Sequence, residues 1–478
     1  MRRAFDRVSV WGVPPNSKKR GTALTRERRR VRAAGPILAV CLTLACLAAA
    51  FGGEGDLTTF ELDNGLTIHV YEKHAVPVAA VQVWYDTGAI KEYPGIRGLS
   101  HLFEHMMFLG SRKFGPEEHG QLITEVGGSS NAYTSSDVTV YHEVVPASAL
   151  ELVFELEADR MGWLTLETET FENEREVVKE EYRQNYENNP FGRMFLDLQA
   201  QVFGDHPYSW GAIGVMSDLD SLEIDDCRAY YESHYAPDQA SLVVAGDVEP
   251  AEVLELAERH FGSIGPSSVV TPYPDAPVWK GPGRVSVKAD LPVPVSGVGY
   301  FLPPSGDDDC LPLQVLVNRL SDHLEKTLVA ERGVCVYAQA VHEEMRQTSI
   351  VGFVGAHFPN VPASDVIAAI DEEISTYLSD VLSERELAGP RNTALLDERL
   401  GRYSANTLAH GIGHAIELEY DASRFLSRAD RIKNLTARDL SGVAERHLVP
   451  ENRAEILIEP ARPSLFVGIA GRILSLFR

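Results

Sequence analysis

The sequence predicts an α+β fold of two similar lobes, each a mostly antiparallel sheet with helices packed on it, joined by a linker. Three observations predict it. Strand-like and helix-like segments are mixed without the regular βαβ alternation of a parallel sheet. A Pro/Gly/Ser-rich stretch, GSIGPSSVVTPYPDAPVWKGPG, lies between Gly262 and Gly283 and reads as a linker. Finally, SLEIDDCRAYYESHYAPDQASLVVAGD at 221–247 aligns without a gap, at a constant offset of 213, with NLTARDLSGVAERHLVPENRAEILIEP at 434–460. Leu222 meets Leu435, Asp226 meets Asp439, Glu232 meets Glu445, His234 meets His447 and Pro237 meets Pro450. Each copy reads as a helix, a Pro-marked turn and a strand, which is the pattern of a duplication.

The predicted order begins with a leader at 1–52. Residues 1–50 hold 11 Lys/Arg against 2 Asp/Glu, and the basic TRERRRVRAAG is followed by an apolar run of about 17 residues, PILAVCLTLACLAAAFGG. That order, with small residues at Ala48-Ala49-Ala50, reads as an export signal. The run is near the lower limit of a membrane span, so a retained anchor is the alternative. Cys46 in LTLAC resembles a lipoprotein acylation site, with Thr43 where Leu would be expected. Beyond residue 50 the net charge is −34, which argues against a nucleic-acid partner. Cys227, Cys310 and Cys335 are too few and too widely spaced for a disulfide framework or a zinc knuckle.

The first lobe is expected over 57–262. It opens with a hairpin signal at Asn64-Gly65, between strand-like runs of FELDNGLTIHVYEKHAVPVAAVQVWY. A helix is expected around 98–110 and another from Glu117 to Gly127-Gly128; a strand whose pattern strengthens after Asp137 follows, then long helices at 147–163 and 168–186. The second lobe is expected over 284–460. The tail at 461–478, ARPSLFVGIAGRILSLFR from Ala461, suggests an amphipathic helix that packs on protein or touches a membrane surface.

The candidate chemistry lies in GLSHLFEHMMFLG, Gly98–Gly110. On a helix, His101 and His105 share a face and Glu104 projects beside them. Two imidazoles suit Zn²⁺, and a neighbouring carboxylate suits a general base acting on water. Polar groups on so apolar a helix are costly to bury unpaired. The order His-x-x-Glu-His is also a known metallopeptidase arrangement. A third ligand is expected from FENEREVVKEEYRQNYENNP, but spacing alone does not separate Glu174, Glu176, Glu180 and Glu181.

From about Phe60 to Pro460 the chain resembles the insulinase/pitrilysin family of zinc metallopeptidases, which includes mitochondrial processing peptidase. The resemblance is carried by GLSHLFEHMMFLGS, GGSSNAYTSSDVTVYHEVVP, ENEREVVKEEYRQNYENNP, HPYSWGAIG and HYAPDQASLVVAGDV. It implies Glu181, 76 residues after His105, as third ligand of one zinc per chain, with Glu174 supporting a ligand and Glu104 as the catalytic base. It implies that the strand around Asn131 and Ala132 receives substrate by β-strand addition. In the second lobe LVAERGVCVYAQA resembles the element that supplies an Arg and a Tyr to the site; Arg332 matches, and Tyr337 stands one place late. HGIGH at His410–His414 lacks a Glu between its histidines and reads as structural.

The resemblance therefore implies an exported zinc endopeptidase acting on peptides or unfolded segments inside a chamber, paired with itself or with a related chain. The rival readings are a non-catalytic partner subunit, one half of a heterodimeric processing-type peptidase, and a different His-x-x-Glu-His enzyme such as a thioether lyase. The last would want a cysteine beside the motif, and none stands there.

Overall fold

The computed structural model describes residues 56–461 apart from 268, 270, 282 and 380–383. The expected leader, Cys46 within it, and the tail beyond Ala461 lie outside the described residues. The first sheet contains β1 (Leu57–Glu61), β2 (Thr67–Glu72), β3 (Val78–Tyr85), β4 (Ser129–Thr134), β5 (Thr139–Pro146) and β6 (Ala240–Gly246), in the order β1-β2-β6-β3-β5-β4. The second contains β7 (Gly283–Ala289), β8 (Val295–Leu302), β9 (Tyr337–Glu344), β10 (Ser349–Ala356) and β11 (Arg453–Pro460), in the order β7-β11-β8-β10-β9. Dropping β1, the second order repeats the first. Both sheets are antiparallel except for one pair in the same place in each, β2 with β6 and β7 with β11. The fold is α+β and duplicated, as the sequence predicts.

The repeat is also visible in side chains. Asp226 and Asp439 are each the third helical residue of a capping box, and each accepts a hydrogen bond of 2.8 Å, from the backbone N–H of Glu223 and Thr436. A short side chain that closes a helix start leaves a strong sequence mark, which is why this pair survives in both copies.

Each half carries its own helices, most of which cover one face of its own sheet. In the first these are α1 (Leu99–Met106), α2 (Glu118–Glu125), α3 (Leu150–Trp163), α4 (Thr168–Tyr182), α5 (Pro190–Phe203), α6 (Met216–Ser221), α7 (Ile224–His234) and α8 (Pro250–Phe261). In the second they are α9 (Cys310–Leu324), α10 (Ala363–Ser379), α11 (Glu384–Gly401), α12 (Ala405–Glu417), α13 (Ala422–Asn434) and α14 (Ala437–His447). Alternation along β3 sorts the faces. Ala79, Val81, Val83 and Tyr85 join the core of α1, α3 and α7, while Ala80 and Trp84 point the other way.

That other face is closed by the opposite half. Leu408, Ala409, Ile412 and Ala415 of α12 pack on Ala80, Trp84, Val140, Val243 and Ala245. Reciprocally, Phe191, Met194 and Leu198 of α5 pack beside Val287, Ala289 and Ile458 of the second sheet. The Gln201 side chain on α5 donates to Ser286 O (2.9 Å) and accepts from Ser286 N–H (3.0 Å), standing in for the strand that edge strand β7 lacks.

Three expectations are refined. Helix 98–110 stops at Met106, and the N–H groups of Phe108 and Leu109 bond three residues back, tightening the end. The single strand after Gly128 is a hairpin, β4 and β5, turned at Ser135–Val138. The linker is tied down: Tyr273 hydroxyl bonds Asp86, and Lys91 Nζ donates to Thr271 O at 2.9 Å.

The glycines of HGIGH gain their reason from the exchanged helix. A Cβ on Gly411 would run into Phe425, and one on Gly413 into the Trp84 indole. Gly413→Ala is expected to lower stability by about 1–3 kcal/mol through overpacking. Gly120→Ala, whose Cβ would meet only Ser130 Oγ at 4.0 Å, should be neutral or stabilising by up to about 1 kcal/mol. Urea unfolding of the two variants checks the contrast; equal midpoints would refute the packing account.

Candidate metal centre

Helix α1 is built on Leu99, Leu102, Phe103 and Met106, all buried in the first core. Its N-cap, Gly98, has φ +96°, and the backbone of Gly214 lies so close that a Cβ on Gly214 would collide with Gly98. Beneath the first turn sits Glu92, only 3% exposed, accepting from the N–H groups of Gly98 (2.8 Å) and Ser100 (2.8 Å) and from Trp210 Nε1 (3.1 Å). Burial pushes its carboxyl up to about 7, against the pull of these donors. A carboxylate at a helix N-terminus also complements the helix dipole.

The remaining face of α1 carries His101, Glu104 and His105 towards α4 and β4, both of which it packs against. Glu181 on α4 brings Oε2 to 3.8 Å from His101 Nε2 and 3.6 Å from His105 Nε2. One donor atom from each of these three residues lies within 4.8 Å of the others. Behind them, Glu174 Oε1 accepts from His105 Nδ1 at 2.8 Å, which fixes the tautomer and leaves Nε2 as a lone-pair donor. Asn185 Nδ2 donates to the other oxygen of Glu181 at 3.2 Å, across a π-helical turn at Arg183–Glu187.

Electrostatics fit the donor roles. Burial, helped by His105, holds His101 down to about 3, so it is a neutral imidazole. Burial also pulls on His105, but Glu174 and then Glu104 and Glu181 outweigh it and raise its pKa. Glu104 is raised by burial, partly offset by the Thr134 hydroxyl, which donates to Oε2 at 2.6 Å. Among the described residues, Glu104, Glu174 and Glu181 have no Lys or Arg in an ion pair with them. Three carboxylates and two imidazoles without a cationic side chain suit a divalent ion, and nitrogen with one oxygen is a zinc-type donor set.

The other predicted residues lie on β4 and in the second half. Asn131 and Ala132 lie on β4, opposite His142 and Tyr141, and β4 is the edge of the sheet. Arg332 is held at 2.9 and 2.8 Å by Glu372 and Glu373 of α10, within its own half. Tyr337 opens β9, and its hydroxyl donates to Gln339 Oε1 at 2.5 Å. Of the four glutamates that spacing leaves open, Glu176 pairs with Lys179 and Glu180 with Arg183, both largely exposed.

Sequence reasoning did not find Glu92, Thr134 or the loop holding Tyr208 and Trp210. Thr134 and the loop sit inside quoted motifs, NAYTSSD and HPYSWGAIG. Glu92 carries no local signal, since its partners are backbone groups.

Two imidazoles from one helix and a carboxylate from a second, beside a sheet edge on a duplicated α+β frame, form a group that could hold a metal ion. The chain belongs to peptidase family M16, the insulinase family: the pattern described as "Insulinase (Peptidase family M16)" matches residues 68–212, and "Peptidase M16 inactive domain" matches 221–393. The "Zinc protease PqqE" of Helicobacter pylori is 28% identical over 419 residues, covering 85% of this chain and 87% of that protein. Mitochondrial-processing peptidase subunit beta of Lentinula edodes is 29% identical over 203 residues, covering 42% of this chain and 43% of that one. A crystal structure of a protease from Helicobacter pylori superposes with TM-score 0.77 and 25% identity, covering 85% of this chain and 100% of that one. The first half of the periplasmic protease PqqL from Escherichia coli shares the fold at TM-score 0.70 and 20% identity, covering 88% and 94%.

Glu92→Ala would leave the N–H groups of Gly98 and Ser100 and the Trp210 indole without their acceptor. A loss of about 2–4 kcal/mol in urea unfolding is expected; an unchanged midpoint would show that α1 is held without this cap.

Proposed function

We propose that this chain is a zinc-dependent endopeptidase that cleaves peptides or unfolded polypeptide segments. The observation that carries the reading is the convergence of His101, His105 and Glu181, with Glu174 behind His105 and, among the described residues, no Lys or Arg paired with their carboxylates. His101, His105 and Glu181 would hold the ion, one per chain. Zinc, when bound, polarises a carbonyl and lowers the pKa of water to about 7.

The protein's own groups do the rest. Glu104 stands beside the ligands without being one; it takes a proton from the attacking water and passes it to the leaving amine nitrogen. Strand β4 offers its outer edge to an extended peptide, so backbone hydrogen bonds along the segment that holds Asn131 and Ala132 would align the scissile bond with little regard to side chains. Arg332 and Tyr337 of the second half would contact the bound peptide; Arg332 is oriented by Glu372 and Glu373, and the Tyr337 hydroxyl by Gln339. Among the described residues, the groups of His, Cys, Asp or Glu that could hold a metal ion are the set His101, His105 and Glu181 and the set His119, Glu143 and Glu157, both in the first half. Pairing with a second copy or a related chain, and no nucleic-acid partner, complete the reading.

The leader supports export, with the periplasm or cell envelope as destination, through its basic cluster and apolar run. Among the described residues no helix is long and apolar enough to cross a membrane.

Purified protein is expected to hold about one zinc per chain, lost in His101→Ala, as measured by metal analysis after desalting. Glu104→Gln should keep that zinc while peptide cleavage drops by at least about 100-fold. Full metal retention in the first variant, or undiminished turnover in the second, would overturn the assignment. N-terminal sequencing of the exported protein should begin near residue 50, or show a retained, membrane-associated leader; an uncleaved cytosolic chain would contradict export.

A further inference from the structure

Glu104 has three rotatable side-chain bonds and, among the described residues, no Lys or Arg in an ion pair with it, so its helix alone does not decide where the carboxylate points. Thr134 does, chiefly through its hydroxyl, with a weaker hydrogen bond from its backbone. Thr134, the last residue of β4, donates its hydroxyl hydrogen to Glu104 Oε2 at 2.6 Å. Thr139 faces Thr134 across the β4–β5 register, and its hydroxyl donates to Thr87 O at 2.9 Å. Thr134 therefore spends its single hydrogen on Glu104.

The backbone around Thr134 is fixed from both halves of the chain. The turn closes through Ser135 N–H to Val138 O (2.8 Å), and Ser135 Oγ accepts from the N–H groups of Asp137 and Val138, each at 3.1 Å. The buried Asp137 carboxylate accepts from the Tyr208 hydroxyl (2.6 Å) of the first half and from the Arg346 N–H (3.0 Å) of the β9–β10 turn. The guanidinium of Arg346, itself 2% exposed, pairs with Asp86 and lies 3.5 Å from Glu417. The strand that carries Asn131 and Ala132 thus ends in an anchored residue whose hydroxyl grips the base.

We propose that Thr134 is the positioning residue of the general base: its hydroxyl fixes the Glu104 carboxylate to β4, so that base and bound peptide share one frame of reference. The inference rests on the peptidase reading above. A carboxylate displaced by about 1 Å costs up to about 100-fold in rate while leaving substrate contacts intact, so the effect belongs in kcat rather than in KM.

The test uses full-length zinc-loaded protein and a quenched fluorescent peptide that the parent cleaves, with Glu104→Gln as reference. Thr134→Val should keep zinc stoichiometry and KM within about threefold while kcat falls about 10- to 100-fold; Thr134→Ser, which retains the hydroxyl, should recover kcat to within about threefold. Thr134→Ala replaces the valine variant should that one misfold. If valine and alanine variants match the parent while Glu104→Gln is inactive, this inference alone falls. A serine variant as slow as the valine variant would assign the effect to packing and likewise overturn it. If Glu104→Gln cleaves as fast as the parent, the peptidase reading fails and takes this inference with it.

Discussion

Glu92 accepts hydrogen bonds from the first N–H groups of α1 and from Trp210 in a place from which water is excluded. A helix of eight residues has little stability of its own, so its place comes from this cap and from four apolar side chains set into the core. The cap fixes the start of the helix, and Leu99, Leu102, Phe103 and Met106 fix its rotation. With both determined, the remaining face has no freedom. His101, Glu104 and His105 must look towards α4 and β4. The metal-type cluster is a consequence of how the helix is seated, and Glu174 and Asn185 then orient single donor atoms within it.

Among the described residues the second half carries no comparable cluster, yet the first half depends on it. A sheet with two apolar faces needs two covers, and α12 supplies the second cover for the sheet that bears the site. Exchange of α5 in return ties the halves in both directions. Arg346 adds a polar tie, reaching Asp86, Asp137 and Glu417 in a buried position. Such a pairing contributes little net stability but is costly to break once buried, which makes it a device for registering one half against the other.

What was legible in the sequence follows from range. The His-x-x-Glu-His set was legible because one helical turn places those side chains together, whatever surrounds them. The duplication was legible because Asp226 and Asp439 close their own helix starts, a contact within three residues. Glu181 was not separable from Glu174, Glu176 and Glu180 by spacing, since the choice depends on how α4 lies against α1; resemblance supplied what periodicity could not. The β4 strand merged with β5 because SSNAYT is polar and lacks the alternation of a half-buried strand. The helix exchange left no trace at all. Leu408, Ala409, Ile412 and Ala415 read as an ordinary apolar stripe, and nothing in a stripe says which sheet it will meet.

A second cluster in the same half shows why donor type alone does not define a metal centre. His119, Glu143 and Glu157 also bring ligand atoms within 4.8 Å of one another, and all three are buried. Arg160, 2% exposed, places its guanidinium against both carboxylates, 3.3 Å from Glu143, and stacks on Tyr141 with 4.2 Å to the ring centre. The charge there is already met by the protein. A divalent ion would face a fixed positive neighbour in a medium where like charges repel strongly, and the cluster is best understood as a buried ion pair with an attendant histidine. At His101, His105 and Glu181 the donor atoms are similar, but among the described residues no Lys or Arg pairs with them. The difference between the two clusters is one arginine, and it is the absence of that residue from the α1–α4 face that leaves room for a metal's charge.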